Sequence, residues 1–79
     1  MPHLSPDGSK WLVQDGSGLL WQFDAENSKP SRAFSRAVVD YVEDTAWLDD
    51  NHFVAVLNTG VVKKVALTGE VVFEQQDVN

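Results

Sequence analysis

The chain has 79 residues, no cysteine, and a net charge of −6 from 12 acidic and 6 basic residues. This length allows one small domain, which buries only about 60% of its unfolded surface and so depends on good packing or a partner. The lack of cysteine excludes disulfides, thiolate zinc sites and iron–sulfur clusters. The acidic balance argues against direct binding to nucleic acid and to anionic membranes.

The N-terminal residues do not have the pattern of a targeting signal. Met1-Pro2-His3 leads directly into polar residues, and no apolar run approaches the about 20 residues of a transmembrane helix. Together with the absence of cysteine, this pattern favours a cytoplasmic location.

The first predicted unit is a turn followed by a hairpin. Pro6-Asp7-Gly8 has turn chemistry, because proline presets φ and Asp and Gly tolerate the remaining turn positions. Lys10–Gln14 is predicted as a strand, Asp15–Gly18 as a tight loop and Leu19–Phe23 as the returning strand. Residues 31–34 follow a polar linker and complete the unit.

The second predicted unit repeats the first. Asp50-Asn51 takes the place of Asp7-Gly8, and Gly18 and Gly60 are 42 residues apart in equivalent loops. Four strands are predicted in this unit, at about 44–48, 53–57, 61–66 and 70–75. The first unit is expected to have only three, because too few residues precede the first turn to form an opening strand. We therefore predict one domain over 1–79 that contains two repeat units, about 4–36 and 44–75.

The repeated pattern is Ser-Pro-Asp-Gly, an apolar strand, Asp-Gly-Ser-Gly, and a second apolar strand ending in Phe23-Asp24. It resembles a blade of the WD40-type β-propeller, whose units of about 40–45 residues form four antiparallel strands. The chain departs from that family because it has no Gly-His dipeptide, and Val65-Ala66 stands where a second Trp-Asp is expected. The resemblance implies an all-β fold made of a degenerate pair of blades, the first lacking its opening strand.

A competing interpretation concerns residues 28–43. Ala33, Phe34, Ala37, Val38, Tyr41 and Val42 recur at helical spacing, with Ser28 as a candidate N-cap. A helix at about 30–43 would make the chain a self-contained α+β domain instead of a blade pair.

No motif predicts catalysis, a cofactor or a metal. His3 and His52 are the only histidines, and no Gly-x-Ser-x-Gly elbow occurs. Asp49–His52 contains several ligand types, but consecutive side chains point in different directions and the calcium-loop spacing is not met. We therefore expect no catalytic residue, no cofactor and no metal, and predict that the protein is not an enzyme.

Two features predict a protein partner. Trp21 shares a strand face with Leu19 and Phe23, and tryptophan is enriched among interface hot spots. No Lys or Arg occurs between Arg36 and Lys63, and the carboxylates in that gap form a solvated edge or a docking surface for a basic partner. The predicted partner-binding residues are Trp21, Asp40, Glu43, Asp44, Asp49 and Asp50, and the strand at 70–75 is a candidate for pairing with another chain.

The sequence predicts a non-enzymatic protein–protein interaction module or scaffold. It would act by assembling propeller-like blades with other copies of itself or with a larger protein partner, because two blades cannot close a ring. The alternative is a small acidic α+β inhibitor that blocks a basic, nucleic-acid-binding surface of its target, as phage-encoded inhibitors do.

Overall fold

A computed structural model describes residues 3–76, and within that range all regular secondary structure is β-strand. The first sheet consists of β1 (His3–Leu4), β2 (Lys10–Gln14), β3 (Leu20–Asp24) and β4 (Lys29–Ala33). The second sheet consists of β5 (Val42–Asp49), β6 (His52–Leu57), β7 (Val62–Ala66) and β8 (Val71–Gln75). Both sheets are antiparallel, with their strands in chain order. The predicted all-β fold of two units is confirmed, and residues 3–76 contain no helix that could cross a membrane.

The first unit does have an opening strand, which corrects the expectation that it would be missing. His3 pairs with Leu12 and Leu4 with Trp11, so two residues are enough to extend the sheet beyond β2. The indole Nε1 of Trp47 donates a hydrogen bond of 2.9 Å to the His3 carbonyl from the second sheet. This short strand is therefore held from both sides, by its neighbour in the sheet and by the other sheet.

The alternative helix at 30–43 is not formed. Pro30 lies in β4 opposite Phe23, and only a single turn follows, in which the amides of Val38 and Val39 both donate to the Ser35 carbonyl. Phe34 and Val39 belong to this irregular connection between β4 and β5, and both side chains are nevertheless buried in the core. The apolar residues that suggested one face of a helix are thus buried without a helix, and the α+β interpretation is wrong.

The core lies between the two sheets. Leu12 and Leu20 enter it from the first sheet, and Phe53 and Val65 enter it from the second. The Phe53 ring meets the Phe34 ring edge-on, with their centroids 5.2 Å apart. The connection between the sheets therefore contributes to the same core as the strands.

Polar contacts fix how the sheets meet. The Gln14 side chain accepts a hydrogen bond from the Val42 amide at 2.6 Å and donates one to the Val42 carbonyl at 2.9 Å. At the other end of β5, the Asp7 amide donates to a carboxylate oxygen of Asp50 at 2.9 Å. These contacts join the first sheet to both ends of β5.

Candidate interaction faces

The outer face of the first sheet is apolar and aromatic. Residues that pair directly across an antiparallel ladder share a face, and Trp11 pairs with Phe23 as Val13 pairs with Trp21. This face is opposite to the one that carries Leu12 and Leu20 into the core. We call it the front face, which consists of Leu4, Trp11, Val13, Trp21, Phe23 and Pro30.

The outer face of the second sheet is also largely apolar. Val54 pairs with Ala46 on one side and Lys64 on the other, and these residues alternate along their strands with buried ones such as Phe53 and Ala55. Phe73 continues the row on β8 and is 54% exposed. We call this the back face, which consists of Ala46, Val54, Val56, Val62, Lys64 and Phe73.

A sheet with one face in water normally alternates apolar residues inside and polar residues outside. Here the outer side chains of β2 and β3 are Trp11, Val13, Trp21 and Phe23, so the alternation is absent from the first sheet. Both sheets therefore have the composition of strands that are covered on two sides.

Trp21 lies at the edge of the front face, where its orientation is fixed. Its indole Nε1 donates to Oδ2 of Asp15 at 2.9 Å, beside an apolar depression lined by Val13, Phe23 and Pro30. The other oxygen of Asp15 accepts from the Ser17 hydroxyl at 2.6 Å. The hydrogen bonds from Ser17 and then Trp21 hold the pKa of Asp15 well below its usual range. An ionised carboxylate thus holds the indole in place.

Trp11 lies further into the front face and has an unusual feature. Its indole Nε1 is buried and has no hydrogen-bond partner within residues 3–76. A buried N–H without a partner costs free energy, so native proteins rarely keep one. The front face therefore carries a polar group that its own sheet leaves unsatisfied.

The structure does not bring the predicted acidic residues together. Glu43 and Asp44 lie at the start of β5, and Asp49 at its end, which is roughly 20 Å away at about 3.3 Å per residue. Asp40 accepts a hydrogen bond of 2.7 Å from Arg36 of its own chain, and Asp50 accepts one from the Asp7 amide.

The Asp49–His52 segment forms a turn between β5 and β6. Asp49 accepts hydrogen bonds from the Asn51 amide at 2.7 Å and from His52 Nδ1 at 2.9 Å, and these contacts lower the pKa of Asp49. No group of three or more metal-ligating side chains occurs among residues 3–76.

The acidic α+β inhibitor required a helix at about 30–43. No helix is present within residues 3–76, and the acidic residues lie at opposite ends of β5, so this alternative is set aside.

The predicted partner-binding residues include Trp21 of the front face but no residue of the back face. Residues 53–57 are all apolar, so the sequence does not indicate which of them are buried. In the structure Phe53 and Ala55 are buried in the core, whereas Val54 and Val56 lie on the back face. The candidate strand at 70–75 corresponds to β8, which is exposed along its whole length at the edge of the second sheet.

Two four-stranded antiparallel sheets packed face to face, with apolar outer faces, have the arrangement of two neighbouring blades of a β-propeller. The chain is similar to the crystal structure of the WD40 β-propeller domain of Doa1, with a TM-score of 0.77 and 26% sequence identity. The match covers 95% of this chain and 25% of that one, so the chain spans a quarter of the neighbour's length. No protein-family model matches the chain, and no curated protein matches it. The two sheets are a WD40-like blade pair, as the sequence resemblance predicted.

Proposed function

We propose that the chain is a non-enzymatic protein–protein interaction module or scaffold. It works by packing its outer sheet faces against the blades of other copies or of a partner chain. The observation that carries this proposal is the presence of an apolar face on each side of the pair. A WD40-like fold is consistent with such a role, but the faces and not the fold supply the argument.

The energetics favour covering these faces. An aromatic side chain presents 150–250 Å² and buried apolar area contributes about 25 cal/mol per Å², so covering one that is about a third exposed contributes about 1–2 kcal/mol. The front face holds Trp11, Trp21 and Phe23, all half-buried. Three such side chains together contribute about 4–6 kcal/mol against the cost of association, and the other apolar residues of the face add to this.

Trp21 is the proposed anchor of the front face. Its ring is already fixed by Asp15, so little side-chain entropy is lost when a partner covers it. The acidic residues are proposed as rim groups at the two ends of β5, where Glu43, Asp44 and Asp49 are exposed. Rim charges mainly set the orientation and rate of binding, so they would select a partner with basic residues at the matching positions.

Photo-crosslinking in cells that express the chain tests the proposal. A benzophenone amino acid replaces Trp21 in one variant and Phe73 in another, and Glu26, in the turn between β3 and β4, is the control position. We expect protein adducts from both faces and few from position 26, with the attached peptides identified by mass spectrometry. Equal labelling at all three positions, or none at either face, would overturn the proposal.

A further inference from the structure

We propose that the front face binds the back face of a second copy of this chain, in a head-to-tail arrangement. This inference rests on the proposed function and names the partner. The chain already makes an interface of this kind between its own two sheets.

The front face of the first sheet corresponds, through the sequence repeat, to the face of the second sheet that is buried in the core. Trp11 precedes Phe53 by 42 residues, and Val13 precedes Ala55 by the same interval. Phe53 and Ala55 are both fully buried, because the first sheet and the connection cover them. In the first sheet, the equivalent Trp11 and Val13 lie on the open front face.

The back face of the second sheet corresponds, in the same way, to the face of the first sheet that is buried in the core. Val54 and Val62 are the equivalents, 42 residues later, of Leu12 and Leu20. Those two leucines are 3% and 2% exposed and form the part of the first sheet that meets the second. The contact between front and back faces of two copies would therefore continue an interface that is already established within each copy.

The side-chain sizes on the two faces compensate each other. On the front face, Trp11 and Val13 are larger than their buried equivalents, Phe53 and Ala55. On the back face, Val54 and Val62 are each one methylene smaller than Leu12 and Leu20. Extra volume on one face therefore meets reduced volume on the other, which an interface packed at interior density requires.

Polar contacts at the turns also have equivalents. Within the chain, the Asp7 amide donates to the Asp50 carboxylate, and Asp7 and Asp50 lie in the corresponding turns of the two repeat units, 43 residues apart. In the head-to-tail contact, the Asp50 amide of one copy would donate to the Asp7 carboxylate of the next. Because the two faces are different, such a contact repeats from copy to copy and forms a ring where the rotation closes.

A mixing experiment tests this arrangement by light scattering coupled to size exclusion. Val13→Glu blocks the front face and Val54→Glu blocks the back face, because an unpaired charge buried in the contact is costly. We expect the unmodified chain to form assemblies of three or more copies. Each variant alone should be monomeric, with self-association weakened more than about 100-fold. Their equimolar mixture should form a dimer, because each supplies the face that the other has lost.

Control measurements distinguish a loss of the contact from a loss of folding. Thr68→Glu adds the same charge at an exposed turn and should leave the assemblies unchanged. Circular dichroism confirms that each variant is folded. Should either main variant fail to fold, Leu4→Glu and Phe73→Glu replace them, because both side chains are 54% exposed.

Several results would overturn the inference. If the Val54→Glu variant self-associates and the Val13→Glu variant does not, the contact is symmetric, between two front faces. If both variants self-associate, the copies pair along the edge of β8. A mixture that stays monomeric excludes the front-to-back contact. A monomeric unmodified chain whose faces crosslink to a different protein would retain the proposed function and reject the second copy as partner.

Discussion

Truncation of Phe53 tests whether the core between the sheets holds the molecule together. The side chain is fully buried and lies between two other aromatic rings, at 5.2 Å from Phe34 and 6.2 Å from Trp47 between centroids. Replacing a buried phenylalanine by alanine costs about 3–5 kcal/mol, whereas a chain of this size has about 4–12 kcal/mol in total. We therefore expect Phe53→Ala to remove at least about a quarter of the free energy of unfolding, and all of it where the total lies at the low end of this range.

Urea denaturation followed by tryptophan fluorescence measures this loss. Phe53→Leu keeps most of the volume and should cost about 1–2 kcal/mol, which keeps the transition measurable. Phe73→Ala removes the same group from a side chain that is 54% exposed, so it should change the stability of the monomer by less than about 1 kcal/mol. Equal losses at positions 53 and 73 would refute the assignment of the core to the space between the sheets.

Three further predictions concern turns and pH. Gly18→Ala should destabilise by more than about 1 kcal/mol in urea titrations, because Gly18 has a φ of +85° and a Cβ there would lie 2.5 Å from the Tyr41 ring, whereas Gly16→Ala meets no atom within 4 Å and should be nearly neutral. Ser28→Gly should raise the thermal midpoint, because Ser28 has a φ of 57° in an exposed turn where only glycine is unstrained. Hydrogen bonds from Ser9 lower the pKa of Asp7 from 3.8 to about 2, so its contribution to stability is complete above pH 4 and is lost as the pH falls towards 2. Asp7→Asn should accordingly reduce the difference in urea midpoint between pH 6 and pH 3.

Much of the fold could be predicted because the repeat is visible in local patterns. The strand Lys10–Gln14 has the predicted bounds, and Pro6-Asp7-Gly8 forms the predicted turn, in which Gly8 has a φ of 76°. Other strands begin or end one or two residues from the predicted positions, as with Leu20–Asp24. Strand ends depend on which ladder partner is present, and a single segment does not specify its partner.

The connection between the sheets could not be predicted in the same way. Phe34, Val38 and Tyr41 have helical spacing, but Tyr41 adopts a left-handed φ of 48° that ends any helix there. The Tyr41 ring packs over Gly18, which lies more than twenty positions earlier in the chain. Such a contact depends on the fold as a whole, so local periodicity gave the wrong element. The residues of the back face were not predicted for the same reason, because assigning them requires knowing which side of each strand the core occupies.

Each sheet buries one face in the core and leaves the other face open, and this arrangement links stability to association. The first sheet buries Leu12 and Leu20 but places Trp11 and Trp21 on its open front face. Anything that binds only the folded state raises its apparent stability with concentration. If copies cover one another in assemblies of three or more, the free energy of unfolding per chain should rise by about 1 kcal/mol for each tenfold increase in chain concentration above the dissociation constant. Urea midpoints measured over a hundredfold range of concentration test this expectation. A constant midpoint would mean that the core between the sheets is sufficient by itself and that copies do not cover the front face.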